Sequence, residues 1–419
     1  MLVSPQERSV LESISERGEE IVARAVGWCA GNSGSRNIEG LRATLDLLTA
    51  AWGEAVPGAE VSHEALEPTV EIAADGRETL HQPPPSLLLT MRPEAPVQVV
   101  MTGHYDTVFP AASRFQVVET RGDGALNGPG IADMKGGISV MMAALEAFER
   151  FGEAGKVGWR VLLSPDEESG SLGSGAVLAR IGRLGHVGMT YEPALADGTL
   201  AAGRKGSGNF HVKVTGRSAH AGRAFDEGRN AITAAARIAG ALDGLNGGRD
   251  GVTVNVAKID GGSALNVVPD VAVVRVNVRF PDDDSRRWLE GGIERACACG
   301  HGDGLGVAMF GGVTRGAKPF NAAQQALFGD VRRVGAALGQ EIAWKPSGGV
   351  CEGNNLFAVG LPNVDTLGVR GGDIHSEDEF AWPESFAERA QLSALMLMKM
   401  ASGEVDARRL HEMMKGGAA

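Results

Sequence analysis

The chain has 419 residues, 43% of them hydrophobic, and a formal charge of -12 at pH 7. That length exceeds what a single hydrophobic core sustains, so two or three domains are expected, and the acidity disfavours nucleic acid or an anionic membrane as partner. MLVSPQERSV lacks the basic-then-apolar pattern of a secretion signal and no 18-residue apolar run follows, while the four cysteines (Cys29, Cys297, Cys299, Cys351) suit a reducing compartment, so a cytoplasmic protein is expected.

In chain order, the QPPP stretch at 82–85 reads as a loop before a strand over Ser86–Met91. The apolar run Val97–Thr102 reads as a buried strand that delivers His104-Tyr105-Asp106. Glycine-bracketed Asp133, in GPGIADMKGG, precedes a helix whose Ile138, Met141, Met142, Leu145 and Phe148 fall on one 3.6-residue face; Gly136 and Gly137 would let its backbone approach a crowded site. A strand over Val157–Leu163 leads to the acidic pair Glu167-Glu168, and one over Val187–Thr190 leads to Glu192. His375 follows in the polar loop GGDIHSEDE. These candidates gather at the carboxyl ends of strands, the edge where open α/β sheets bind ligands.

From 207 the pattern changes. Strands at 207–215, 252–259, 271–280 and 305–311, with helices at 228–245 and 283–299, give the order βαββαβ of a split-βαβ, ferredoxin-like unit. In VAVVRVNVRF, Val274, Val276, Val278 and Phe280 alternate with Arg275, Asn277 and Arg279, as expected of a sheet with one covered and one polar face. The α/β pattern resumes near 317, with helices over Ala322–Leu338 and Pro383–Met400 around a loop beginning at Gly348-Gly349. The predicted fold is therefore an α/β catalytic domain (1–206 and 317–419) carrying an inserted ferredoxin-like βαββαβ lid and dimerisation domain (207–316). The Cys297-x-Cys299 pair falls on a lid helix with no second Cys/His cluster beside it, which favours packing over a metal site.

The chemistry narrows the function. Zinc takes imidazole nitrogen and carboxylate oxygen, and a catalytic site keeps one position for water. Two ions a few ångströms apart need a shared carboxylate, for which Asp133 is the candidate; Glu168 and His375 would then serve one ion, His104 and Glu192 the other. Asp106, two residues from His104, can accept the second ring N–H and fix the tautomer. Glu167 is placed to act as base on an acidified water. Alone, an acidic pair after a strand is more often a solvated turn and Asp133 could be a helix cap, but the ordered set outweighs both readings. His63, His81, His186, His211, His301 and His411 lack such context.

From NSGSRN at Asn32 to the last helix, with these motifs, the chain resembles the glutamate carboxypeptidase and acetylornithine deacetylase family of dinuclear zinc hydrolases, most of all its carboxypeptidase G type. The resemblance puts His104, Asp133, Glu168, Glu192 and His375 on the five metal positions, Asp106 on the orienting aspartate and Glu167 on the general base. It implies two Zn2+ ions, with Co2+ or Mn2+ also compatible with the ligands. It also implies a homodimer through the lid, in which His220 of TGRSAHAG crosses to the other subunit and polarises the scissile carbonyl. Asn266, Arg279 and Arg315 match positions that hold substrate oxygen or carboxylate, with Lys205 a weaker candidate. The implied reaction is hydrolysis of the amide bond of a peptide or N-acyl amino acid, with glutamate a candidate product; removal of an N-acetyl or other N-acyl group is the alternative, and a non-catalytic scaffold the remote one. One departure stands out: Cys351 and Glu352 occupy a loop where carboxypeptidase G relatives carry a GGTD-type sequence. Cys351 is read as pocket wall, because no base is paired with it.

Overall fold

The computed structural model describes residues 1–416. Its central sheet has six strands in the order Glu60–Glu64, Ser86–Met91, Val157–Ser164, Val97–His104, Val187–Thr190, Asn363–Val364. Val97–His104 lies parallel to both Val157–Ser164 and Val187–Thr190, and the first two strands join antiparallel. Every residue of Val157–Ser164 is buried, as expected where helices cover both faces. The side chains alternate between two cores. Leu87, Leu89, Val99, Met101, Val161 and Leu163 join the large core with the terminal helices, whereas Leu88, Val100 and Leu162 meet Val177, Leu178, Ile181 and Leu356 on the other face. A three-layer αβα domain results.

The helix Gly137–Phe148 departs from the sequence expectation of a single apolar face. Every residue except Glu146 is buried, because the helix is enclosed by the sheet and by the helix Glu384–Ser402. Its one buried hydroxyl, Ser139 Oγ, donates to the Ile21 carbonyl at 2.7 Å and accepts from Arg24 Nε at 3.0 Å, so the wrap leaves no polar group unpaired.

The second sheet runs Thr253–Gly261, Val271–Phe280, Gly206–Thr215, Gly306–Arg315, all antiparallel. Helices Ala231–Asp243 and Asp283–Ala298 cover one face, started by Asn230 and Asp282 side chains that accept from backbone N–H groups three residues on. Val274, Val276, Val278 and Phe280 are buried in this separate core. The polar face meets the catalytic part through a hairpin, Thr69–Ile72 paired with Glu78–His81. Arg275 Nη2 donates to the Ile72 carbonyl at 2.8 Å and Lys213 pairs with Glu78 at 3.3 Å. Among the described residues no helix is long and apolar enough to cross a membrane.

Candidate metal centre

Four carboxylates and two imidazoles converge where the parallel strands end. Val97–His104 places His104 at the sheet edge with no exposed surface. The turn Ile131–Gly136 brings Asp133 opposite it. Glycine is required just beyond, since a Cβ on Gly136 or Gly137 would collide with the carbonyl oxygens of Ile131 or Tyr191. His104 Nε2 lies 3.0 Å from Asp133 Oδ1 and 3.9 Å from Glu192 Oε1. On the other side, His375 Nε2 lies 3.3 Å from Asp133 Oδ2 and 3.2 Å from Glu168 Oε2. The two oxygens of Asp133 thus face two histidines, the disposition a bridging carboxylate needs.

Asp106 ties the elements together. Its Oδ1 lies 3.3 Å from His104 Nδ1, with its backbone carbonyl at 3.0 Å. The same carboxylate accepts from the Glu167 and Glu168 backbone N–H groups at 3.1 and 3.2 Å and from Ser35 Oγ at 2.8 Å. Glu167 is paired with Arg315, whose Nη2 is 2.8 Å from Oε1 and also donates to the Glu167 carbonyl at 2.9 Å and Ser171 Oγ at 2.6 Å. Arg315, 5% exposed, also lines the neighbouring cavity but is committed through Nη2 to protein acceptors. Arg279 is not: its Nη1 is buried without a hydrogen-bond partner among the described residues, and it lines a cavity of about 380 Å³ together with Asp133, Glu167, Glu168, Glu192 and His375.

The electrostatics show a site short of positive charge. Burial and the Asp133 charge push Glu168 up to about 8, and burial with Asp133 and Glu167 lifts Glu192 well above the carboxylate range. Hydrogen bonds that His375 donates to Asp133 and Glu168 raise it to about 11. Burial opposes protonation of His104, but Asp106 and Asp133 outweigh it; burial likewise opposes ionisation of Asp133, but its hydrogen bonds to the two histidines hold it low. Glu168 Oε1 and Glu192 Oε1 are buried with no hydrogen-bond partner among the described residues. Unpaired buried carboxylate oxygens are costly unless a cation meets them. Two overlapping sets, His104 with Asp133 and Glu168 and His104 with Glu167 and Glu192, have ligand atoms within 4.8 Å of one another. His375, half exposed, stands beside these sets, its Nε2 within 3.3 Å of both Asp133 and Glu168. The donor set fits a pair of divalent ions.

The remaining sequence candidates lie elsewhere. His220 and Asn266 are exposed on the lid, in and beside the short ladder Ala219–His220 with Val267–Val268, and do not line the cavity. Lys205 donates to the Gly251 carbonyl at 2.7 Å. Cys351 is 1% exposed and caps a helix beginning at Glu352, so part of the expected loop is helical. Burial lifts the Cys351 thiol well above its usual range, and its Sγ faces Asp365 at 3.5 Å, which leaves it no nucleophilic character.

Two supporting carboxylates, Glu379 and Asp365, escaped the sequence reading, and a third, Glu352, was read only as a departure within its loop. Glu379 Oε1 accepts the backbone N–H groups of Ala132 and Asp133 at 2.9 and 3.0 Å, holding the Asp133 turn. Asp365 takes Arg204 Nε at 2.8 Å and Lys318 Nζ at 2.7 Å, and Arg204 lines the cavity. Glu352 is fully buried, accepts from Ser164 Oγ, and is pushed up to about 8 by burial. Asp365 had a usable signal, since it directly follows an edge strand much as Glu192 follows Val187–Thr190.

Comparison with known proteins agrees with this geometry. Residues 202–299 match the M20 peptidase dimerisation domain and residues 87–184 match peptidase family M28. Succinyl-diaminopimelate desuccinylase 2 of Shewanella loihica is 31% identical over 318 residues, 70% of this chain and 82% of that protein. Carboxypeptidase G2 of Pseudomonas sp. is 26% identical over 318 residues, 73% of this chain and 74% of that protein. The structure of human carnosine dipeptidase 1 superposes with a TM-score of 0.69 at 16% identity, covering 94% of this chain and 100% of that one. The M28 match falls on the central strands and the His104, Asp133 and Glu168 segments, whereas the match at 202–299 is to the M20 dimerisation domain. The chain belongs to the M20 family of metal-dependent peptidases and amidohydrolases, the dinuclear zinc hydrolases that its sequence resembles.

Proposed function

We propose that the protein hydrolyses the amide bond between an acyl group and an amino acid with a free carboxylate. The observation that carries this reading is the pairing, in one cavity, of orphaned carboxylate oxygens on Glu168 and Glu192 with an unpartnered guanidinium nitrogen on Arg279. When bound, two divalent ions, zinc in this reading, would be held by His104, Asp133, Glu168, Glu192 and His375 and would supply Lewis acidity and an acidified water. Glu167 takes the proton as the water oxygen bonds to the carbonyl carbon, then delivers it to the amine nitrogen as the C–N bond breaks, leaving a carboxylate and an amine. Arg315 holds Glu167 in place through Nη2, a positioning role we prefer to substrate binding because that nitrogen is already shared among the Glu167 carboxylate, the Glu167 carbonyl and Ser171. Arg279 meets the substrate carboxylate, for which a guanidinium offers paired donors. Asp106 keeps His104 oriented through Nδ1.

His220 and Asn266 enter only in a homodimer formed through the 207–316 domain, where their exposed position lets them serve the cavity of a second copy. His220 would then donate to the developing oxyanion.

The test is turnover of a panel of N-acyl and peptidyl amino acids by purified, zinc-loaded protein beside Glu167→Ala. Release of one class of amino acid that collapses in the variant supports the reading; no turnover despite two bound metals overturns it in favour of a binding protein. Removal of a succinyl group is the second reading, favoured by the 31% identity to a desuccinylase, and the same panel separates the two.

A further inference from the structure

A second chamber, of about 500 Å³, opens on the other side of Glu168, the one residue that lines both cavities. It lies between the catalytic domain, the polar face of the lid sheet and the hairpin strand Thr69–Ile72. Three features define what it can take.

Its rim is apolar. Val70, Val108 and Leu172 are 48, 38 and 51% exposed, and all three line this chamber. Apolar side chains left in water around a concavity mark a contact surface.

Its cations are paired, and apart from Glu168 at the junction its carboxylates are satisfied. Arg275 is paired with Asp260 at 3.0 Å and Arg36 with Glu71. Asp166 is satisfied by Ser174 Oγ at 2.5 Å and the Gly173 N–H at 2.7 Å. Arginine can only donate, so the 3.3 Å contact from Arg275 Nη1 makes His211 Nδ1 an acceptor and puts the ring proton on Nε2. Asn209 Oδ1 accepts from Asn277 at 2.7 Å, leaving its own amide nitrogen to donate. The lid wall therefore offers neutral N–H groups suited to carbonyl oxygens, and no unpaired cation for a carboxylate such as that of a succinyl group.

The hairpin supplies a strand edge. Thr69–Ile72 pairs only with Glu78–His81 in a two-stranded sheet, so its other edge has no strand beside it, with the Ile72 carbonyl taken by Arg275 and the Val70 groups left for a peptide, and all four residues line the chamber. An extended peptide adds to such an edge through main-chain hydrogen bonds.

We infer that this chamber is the acyl-side subsite of the proposed reaction and that it takes an uncharged peptidyl group with apolar side chains. The inference rests on the amide hydrolysis proposed above. Carboxylate recognition stays in the Arg279 cavity, Glu168 stands at the junction, and the peptidyl group extends along the hairpin toward Asn209 and His211.

The experiment compares zinc-loaded protein on three substrates sharing one carboxyl-terminal amino acid: N-acetyl, N-succinyl, and a Leu-Leu peptidyl derivative. The peptidyl substrate is expected to exceed the others in kcat/KM by roughly 100-fold, since contacts remote from the scissile bond are used in the transition state. Leu172→Trp, a substitution at a half-exposed position, narrows the chamber and should reduce the peptidyl-to-acetyl ratio by about tenfold. Asn209→Ala should lower the same ratio by a smaller factor. As a readout apart from turnover, binding of the uncleaved tripeptide to Glu167→Gln, measured by calorimetry, should weaken when Leu172→Trp is added. Acetyl or succinyl substrates turned over as well as the peptidyl one, or a ratio unmoved by Leu172→Trp, overturn the inference and leave the hydrolase reading standing. Absence of turnover on all three overturns that reading and the inference together.

Discussion

The two sheets of this protein use different parts of themselves. The catalytic sheet is covered on both faces, and what it offers is an edge: the strand ends at His104, Ser164 and Thr190, from which His104, Glu167, Glu168 and Glu192 emerge. The lid sheet is covered on one face only, and what it offers is the other face, with Arg275, Asn277 and Arg279 alternating with buried Val274, Val276, Val278 and Phe280. An edge places a few charged groups at fixed mutual distances, whereas a face presents a broad set of polar contacts. The edge suits chemistry and the face suits substrate, and substitutions should separate accordingly into kcat and KM effects.

The sharpest break comes at Asp133. Asp133→Ala removes the oxygens that face both histidines, so metal content should drop below about one ion per chain by elemental analysis and kcat should fall by roughly 1000-fold or more. Glu167→Gln should lower kcat by about 100- to 10,000-fold with metal content intact, the signature of a lost base rather than a lost ligand. Retained activity in either variant would dissolve the distinction between edge and face.

Glu379→Ala probes the support beneath the edge. Glu379 touches no substrate cavity but holds the Ala132 and Asp133 N–H groups, so its loss should weaken metal affinity by about 10- to 100-fold. A competition titration with a metallochromic chelator reads this, and unchanged affinity would make Glu379 a packing residue. On the face, Arg279→Ala should raise KM by roughly tenfold while leaving kcat within a small factor, because it removes one charge-assisted contact distant from the proton transfers. A kcat loss larger than the KM rise would move Arg279 to the chemistry.

The contrast also explains what the sequence discloses. One-sided burial writes itself as alternation, so the lid strand Val271–Phe280 is readable residue by residue. Burial on all sides erases periodicity: the helix Gly137–Phe148 looks one-faced only because its best-aligned residues are large, and the enclosing helix lies 236 or more residues away in Glu384–Ser402. The metal-site motifs are local, each directly after an apolar run or within a short glycine-rich turn. Their supports are not. Glu352 reaches Ser164 and Arg315 reaches Glu167 only after the chain folds back across 188 and 148 positions, and no spacing rule encodes either contact. Arg315 was therefore read as a substrate contact, and nothing in its spacing discloses that Nη2 already meets Glu167 and Ser171.

The prediction that tests the electrostatics most directly is the pH dependence of stability. In the metal-free protein Glu168 and Glu352 rise from 4.5 to about 8, mainly through burial. The folded chain then holds protons that the unfolded chain releases, so between about pH 4.5 and 8 the unfolded state binds fewer protons and stability must fall as pH rises. The stabilisation from these two groups is complete below their unfolded value and lost once pH passes about 8. His375, raised to about 11, acts in the same direction above its ordinary 6.5. Asp133, held low by the two histidines, opposes the trend only in strong acid, below its ordinary 3.8. Denaturant unfolding of chelator-treated protein should therefore show stability falling by about 1 kcal/mol per pH unit for each titrating group. Adding zinc should flatten the slope, since a cation replaces the proton at Glu168, whereas Glu352 is not among the proposed ligands. A metal-free slope that rises with pH would mean that the carboxylate edge is not short of positive charge, and the case for a cation there would fail with it.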